Sequence, residues 1–389
     1  MNNYIAKTVF EKIKKVTKIK KLFLHEPTLS RLELKAVNDC IKTGVVSSSG
    51  KQVELFEKKL SKFTKSKYAI AIINGTSALH ISLLLCGVKE KDEVLVPSLT
   101  FVATANAIRY CNAIPHFIDS REYDLGVDAE KLFKYLKKNT IKKNGKCFNK
   151  KTNRFITAII PVYVFGHPYD IPGIKKIARH FNLKIIEDAT EALGTKFKGK
   201  HAGTFGDLGV LSFNGNKIIT TGGGGAILTN NKRFAEKAKH LSSTAKLKTK
   251  NHWDYVHDDI GYNYKLPSLN AALGLAQMKK LNKLIFKKRK LFKKYQKEFE
   301  KDLNFKIMKE PSNSKSNYWL QTLFLKKPDK NLLNKILKFN NDKRYRIRPV
   351  WKLLNTLKPY KSFPKMDLSC SKKISYKTIN LPSSSFLIK

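Results

Sequence analysis

The chain is short of acidic residues, of cysteine and of long apolar runs, and each shortage excludes something. Only 30 Asp+Glu stand against 77 Lys+Arg, a formal charge of +47 over 389 residues. The five cysteines (Cys40, Cys86, Cys111, Cys147, Cys370) are odd in number and scattered, with no CxxC pair and no cluster with histidine. That excludes a disulfide framework or a zinc ribbon and points to a reducing cytoplasm. No apolar run approaches the roughly 20 residues needed to cross a bilayer. The longest, such as residues 81–85, suit a buried helix or strand. The lysine-rich N-terminus lacks the apolar core and small-residue cleavage site of a secretory signal. Neither a Walker loop nor a dinucleotide-binding glycine pattern is present.

Such a charge excess ordinarily points to nucleic acid. Here the lysines run through every segment and keep company with abundant asparagine and isoleucine. This reads as compositional drift rather than a footprint on one face. A nucleic-acid-binding protein therefore stands as the alternative of another class. Attraction for anionic substrates is the simpler consequence.

What is present is an apolar core: 42% of residues are hydrophobic, enough for two domains. Residues 1–21 read as a lysine-rich helix with Val9, Ile13, Val16 and Ile19 at helical spacing. Ser30 and Glu33 form a capping box for a helix to about Thr43. From residue 68 to 188, short apolar runs (68–73, 93–96, 114–118, 155–164, 183–186) alternate with helical patterns. That rhythm predicts an α/β fold, a mostly parallel sheet covered by helices. Residues 137–152 read as a polar surface insertion. A helix over 269–281 continues as a basic amphipathic helix to about residue 300. The expected organisation is an N-terminal helical extension (1–24), a large domain (25–265) and a smaller α+β C-terminal domain (266–389).

The stretch 183–228 organises the rest. It has an acid at a strand end, Asp188, where open α/β sheets bind ligands. It also has Lys217, set among apolar, threonine and glycine residues, and four glycines at 222–225. A lysine nucleophile must be neutral, and desolvation favours that form. Pyridoxal phosphate needs a lysine for its aldehyde, a carboxylate for its ring nitrogen, an anion nest and a flat apolar surface. Lys217, Asp188, Gly75–Ser77 with Ser212, and Phe101 are candidates for the four. Gly75, Thr76 and Ser77 follow a strand and open a helix, where backbone N–H groups and the helix dipole favour an anion. The plainer readings are a surface lysine, a salt-bridged aspartate and a capped helix. His167 reads as structural or substrate-side, and no histidine–carboxylate spacing supports a metal.

The stretches NGTSALH (74–80), PSLTFVATANAIRY (97–110), EDATEALGTKFKGKHAGTFGD (187–207), SFNGNKIITTGGGGAILT (212–229) and GYNYKLPSLNAALG (261–274) resemble the DegT/DnrJ/EryC1/StrS sugar aminotransferases. LHEPTLS (24–30), GVVSSSGKQVELFE from Gly44, RPVWKLLN (348–355) and LPSS (381–384) are similar to the legionaminic-acid (LegC-like) branch. The resemblance runs from about His25 to Ser384. It implies a fold-type I pyridoxal-phosphate enzyme that moves an amino group from L-glutamate to C4 of a UDP-linked 4-keto-6-deoxy-N-acetylhexosamine, for a bacterial surface glycan. A 3- or 4-aminotransferase on another nucleotide-linked keto-sugar is the alternative. The dehydratases of the family carry histidine at the position of Lys217.

Carried over by the resemblance, Lys217 is the Schiff-base lysine and Asp188 the partner of the pyridine nitrogen. Gly75, Thr76 and Ser212 hold the phosphate, and Phe101 stacks on the ring. Glu191 occupies a cofactor-binding position, often glutamine, near the cofactor's hydroxyl side. Asn263 corresponds to a residue reaching the phosphate from a neighbouring subunit, which implies a homodimer with shared active sites. Two departures stand out: Lys265 where many relatives have arginine, and GGGG at 222–225 where GEGG is commoner.

Overall fold

The computed structural model describes residues 2–19, 21–251 and 253–388. Of the expected segments, Met1 and Lys20 of the first helix, His252 of the polar loop and the C-terminal Lys389 lie outside the described residues.

A seven-stranded path forms the main sheet. Its strands are β1 (Tyr68–Ile72), β2 (Glu93–Pro97), β3 (Ile114–Ile118), β4 (Arg154–Ile159), β5 (Lys184–Asp188), β6 (Leu208–Ser212) and β7 (Gly225–Thr229), in the order β1-β7-β6-β5-β4-β2-β3. Neighbours from β6 to β3 pair in parallel, and β7 runs antiparallel to both β6 and β1. The link from β6 to β7 contains no crossover helix, so the chain returns beside β6 in the opposite direction. Lys217 stands in that link.

Alternate side chains feed two apolar layers, one on each face. Ala69, Ala71 and Leu95 pack with Phe56, Leu132 and Ile174, whereas Ile70, Ile72, Val94 and Val96 pack with Leu79, Ile108 and Ala238. The period of two, apolar on both faces, is what a helix-covered parallel sheet requires. Helix α1 is Asn2–Thr17 and α2 is Arg31–Lys42; the first layer is covered by α3 (Lys51–Thr64), α6 (Ala129–Asn139) and α7 (Ile171–Phe181). The second is covered by α4 (Gly75–Leu85), α5 (Val102–Tyr110) and α8 (Lys232–Ser242).

A smaller antiparallel sheet joins Phe305–Ile307, Gln321–Leu325, Thr378–Leu381 and Arg348–Pro349. Its core takes Val9, Ile13 and Val16 of the N-terminal helix Asn2–Thr17. That helix therefore docks against Lys330–Asp342 and the helix Ser268–Phe299. The latter runs unbroken for 32 residues. Its first part, with Ala271, Met278 and Leu281, lies in the large core; Leu291, Tyr295 and Phe299 lie in the small one. The capping box forms as expected, with the Ser30 N–H donating to Glu33 at 2.7 Å.

Two segments differ from expectation. The apolar run 155–164 stays a strand only to Ile159. Pro161 has no N–H for a ladder, and the chain then bends at Phe165, whose φ is 55°. The insertion 137–152 forms a hairpin, Thr140–Lys143 with Lys146–Asn149, turning at Asn144-Gly145, both at positive φ. Its second strand pairs with β4.

Candidate active site

The strand ends converge on one cleft of about 630 Å³, lined among others by Gly75, Thr76, Phe101, Asp188, Glu191, Ser212 and Lys217. Residues from four separate stretches of sequence meet because β1, β2, β5 and β6 end on the same side of the sheet.

Asp188 closes β5. Alternation places the neighbouring Glu187 on the other face, where it is fully buried and accepts N–H bonds from Gly203 (3.1 Å), Phe205 (2.5 Å) and Gly206 (2.6 Å). Glu187 thus builds the 203–206 turn, while Asp188 is left facing the cleft. Both Asp188 oxygens are held. Thr104 donates to Oδ2 at 2.8 Å, and Thr190 donates to Oδ1 through its hydroxyl (2.7 Å) and its N–H (3.2 Å). The carboxylate is 3% exposed, so its position is fixed before any ligand arrives.

The anion nest sits at the start of α4. The Asn74 side chain accepts the Ser77 N–H at 2.8 Å, and the Asn74 carbonyl accepts that of Ala78 at 3.1 Å. Among the described residues, the N–H groups of Gly75 and Thr76 have no acceptor, as first-turn donors do. Gly75, Thr76 and Ser212 all line the cleft. Ser77, by contrast, is buried, outside the cleft lining, with its N–H taken by the cap. The glycine run lies beneath the nest. A Cβ on Gly225 would stand 2.6 Å from the Asn74 carbonyl carbon and 2.8 Å from the Gly75 nitrogen, so only glycine lets β7 approach.

Lys217 extends over the Trp319 ring, its ammonium 4.2 Å from the centroid, with Glu191 Oε1 at 3.4 Å. The other Glu191 oxygen accepts the Phe165 N–H at 2.8 Å, which explains the bend at Phe165. Burial pushes the Glu191 carboxyl up to about 7, against the pull of the Lys217 ammonium. Phe101 is half exposed at the mouth, its ring 6.5 Å from that of Trp351, which packs on Phe165 at 5.0 Å. The segment that carries the last strand of the smaller sheet adds Arg348 and Lys352 to the rim.

Asn263 is exposed and lies away from this cleft, in a bridge with Ser243. The next residue, Tyr264, accepts the Ile73 N–H at 2.7 Å, so the GYNYK segment runs beside the nest's own strand. His167 is buried on Ser316 (2.9 Å), and burial lowers it to about 4. His201 is likewise lowered to about 4 and accepts the Gly194 N–H. Among the described residues no group of three His, Cys, Asp or Glu side chains could hold a metal. Sequence reasoning missed Thr104, Thr190, Trp319 and Trp351. Thr104 and Thr190 lie within four residues of recognised positions and Trp351 within the RPVWKLLN stretch, but Trp319 carries no local signal.

A carboxylate fixed at one end, a lysine at the other, unpaired N–H donors and an aromatic cover fit pyridoxal phosphate in polarity and shape. The aminotransferase family described as DegT/DnrJ/EryC1/StrS matches residues 27–388. The chain belongs to that family. It is a pyridoxal-phosphate-dependent sugar aminotransferase of fold type I. It is 34% identical over 361 residues to the GDP-perosamine synthase of Escherichia coli O157:H7, covering 92% of each chain. It is also 38% identical over 291 residues to a UDP-4-amino-4,6-dideoxy-N-acetyl-beta-L-altrosamine transaminase of Campylobacter jejuni, covering 75% of this chain and 72% of the relative. Helicobacter pylori PseC, an aminotransferase of pseudoaminic acid biosynthesis, superimposes with a TM-score of 0.84 at 26% identity, covering 93% and 94%. Among the described residues, no helix of this sugar aminotransferase is long and apolar enough to cross a membrane.

Proposed function

We propose that this aminotransferase moves the amino group of L-glutamate to C4 of a UDP-linked 4-keto-6-deoxy-N-acetylhexosamine, for a legionaminic-type surface sugar. The observation that carries the reading is the pairing of Asp188 and Lys217 in one cleft whose rim bears Arg348 and Lys352. Bound there, pyridoxal phosphate supplies an aldehyde carbon and an electron-withdrawing ring. Asp188, pinned by Thr104 and Thr190, would accept the ring N–H and favour a protonated nitrogen. Gly75, Thr76 and Ser212 would hold the phosphate, and Phe101 would cover the ring.

Lys217 Nζ takes the proton from the α-carbon of glutamate and returns one at C4 of the sugar in the second half-reaction. Trp319 and Glu191 fix where that nitrogen stands. Arg348 and Lys352 supply positive charge for the diphosphate. Asn263 completes the phosphate site of a second copy in a homodimer, which accords with its exposure and its place beside β1. The five free cysteines accord with a reducing cytoplasm.

A second reading, a GDP-linked keto-sugar, is favoured by the likeness to GDP-perosamine synthase. A panel of UDP- and GDP-linked 4-keto and 3-keto sugars, with glutamate as donor and products read by mass and NMR, separates them. The proposal expects a 4-amino product from the UDP-linked N-acetylhexosamine. Turnover confined to a GDP-linked or 3-keto sugar overturns it.

A further inference from the structure

Three motifs that no catalytic role absorbs, LHEPTLS, LPSS and the Asn216 end of SFNGNK, meet around a single buried lysine. Lys288 lies in the helix Ser268–Phe299 and is 1% exposed. Its amine donates to the carbonyls of Trp319 (2.8 Å) and Ser383 (2.7 Å), and it forms no ion pair among the described residues. Two acceptors match the two N–H donors of a neutral amine. Burial alone holds its pKa well below the usual lysine range.

Each bond leads towards Lys217. On the Ser383 side, its N–H donates to Leu24 O at 2.7 Å, Glu26 N–H donates to Ser384 at 2.9 Å, and Leu24 lines the cleft. On the Trp319 side, the indole N–H donates to Asn216 O at 2.8 Å, and Asn216 directly precedes Lys217. The same indole lies beneath the Lys217 ammonium. Trp319 is tethered at its other end through Asn317, which donates to the backbone carbonyl of Glu191. The His25 imidazole also faces the Asn216 backbone.

We infer that Lys288 is a positioning residue for Lys217: it clamps Trp319 to the arm formed by residues 24–26 and 383–384, and Trp319 sets where the Lys217 amine stands. This rests on the reading of Lys217 as the reacting amine, but the geometry is that of the chain alone. A buried methionine at 288 keeps the volume of the stem and deletes both donors.

The test compares Lys288→Met, Trp319→Phe, the double variant and the exposed control Lys283→Met. Reductive methylation of cofactor-free protein, read at Lys217 by mass spectrometry against exposed lysines, gives one readout. The pH midpoint of the cofactor's absorbance band after loading gives another. Lys288→Met is expected to raise Lys217 methylation about tenfold and move the midpoint by about one pH unit, with the control unchanged. Trp319→Phe, which loses the indole donor to Asn216 and shrinks the ring beneath Lys217, is expected to move both the same way, and the double variant no further. A folded Lys288→Met protein with wild-type methylation and midpoint overturns the inference, as does full additivity in the double variant. Should Lys288→Met fail to fold, wild-type methylation in Trp319→Phe overturns it. Wild-type protein that gains no band with pyridoxal phosphate rejects the functional reading instead, and the methylation readout still decides on Lys288.

Discussion

Replacing Glu191 with glutamine removes a carboxyl that burial holds at about 7, against an ordinary 4.5. The native state therefore keeps a proton that the unfolded chain gives up. Stability from this group is complete below about pH 4.5 and is lost as the pH rises through 7. With one extra proton in the native state, the slope is about −1.4 kcal/mol per pH unit, so the loss integrates to about 3 kcal/mol. At about 2.1 cal/mol/K per residue, a chain of this length unfolds with an entropy near 0.8 kcal/mol/K, which makes the loss about 4 °C in Tm. Glutamine retains acceptor and donor but does not titrate. In cofactor-free protein, Glu191→Gln and wild type should melt alike near pH 5. The variant should pull ahead by about 4 °C near pH 8. Differential scanning calorimetry across that range is the assay. A gap that stays flat with pH, or widens towards acid, refutes the reasoning.

Asp188→Asn keeps the shape of the site but loses the negative charge proposed to pair with the ring nitrogen. Turnover with glutamate should fall about a hundredfold or more, measured by single-turnover absorbance, and undiminished turnover would contradict the assigned role. Gly225→Ala forces a Cβ against the backbone of Asn74 and Gly75 and should cost about 1–3 kcal/mol in thermal unfolding, with weaker retention of pyridoxal phosphate. Gly223→Ala, whose Cβ would meet only Ile73 O at 3.8 Å, should be tolerated.

The sheet was legible because its strands are apolar on both faces and separated by capped helices. The Ser30–Glu33 box and the caps at Asn74 and Asp128 mark helix starts in the sequence itself. The hairpin at 140–149 was hidden by its lysines, although Asn144-Gly145 is a strong hairpin signal. The end of β4 at Ile159 accords with Pro161, a local signal, whereas the bend at Phe165 depended on its meeting Glu191, a contact between residues 26 apart. At the site, Asp188 and Lys217 could be singled out by their local setting. Trp319 could not, since its contacts with Asn216 and Lys217 span about a hundred residues and leave no periodic trace. Ser77 looked like a third donor to the nest, yet the helix needs Asn74 as its cap, and that cap takes the Ser77 N–H.

The central claim is that Lys217 is the reacting amine at the end of the cleft that Asp188 anchors. The most direct measurement is borohydride reduction of the pyridoxal-phosphate-loaded protein, followed by peptide mass spectrometry. A reduced cofactor adduct is expected on Lys217 alone among the chain's lysines, with no visible cofactor band and no turnover in Lys217→Ala. An adduct on another lysine, or a Lys217→Ala protein that still turns over, would contradict it.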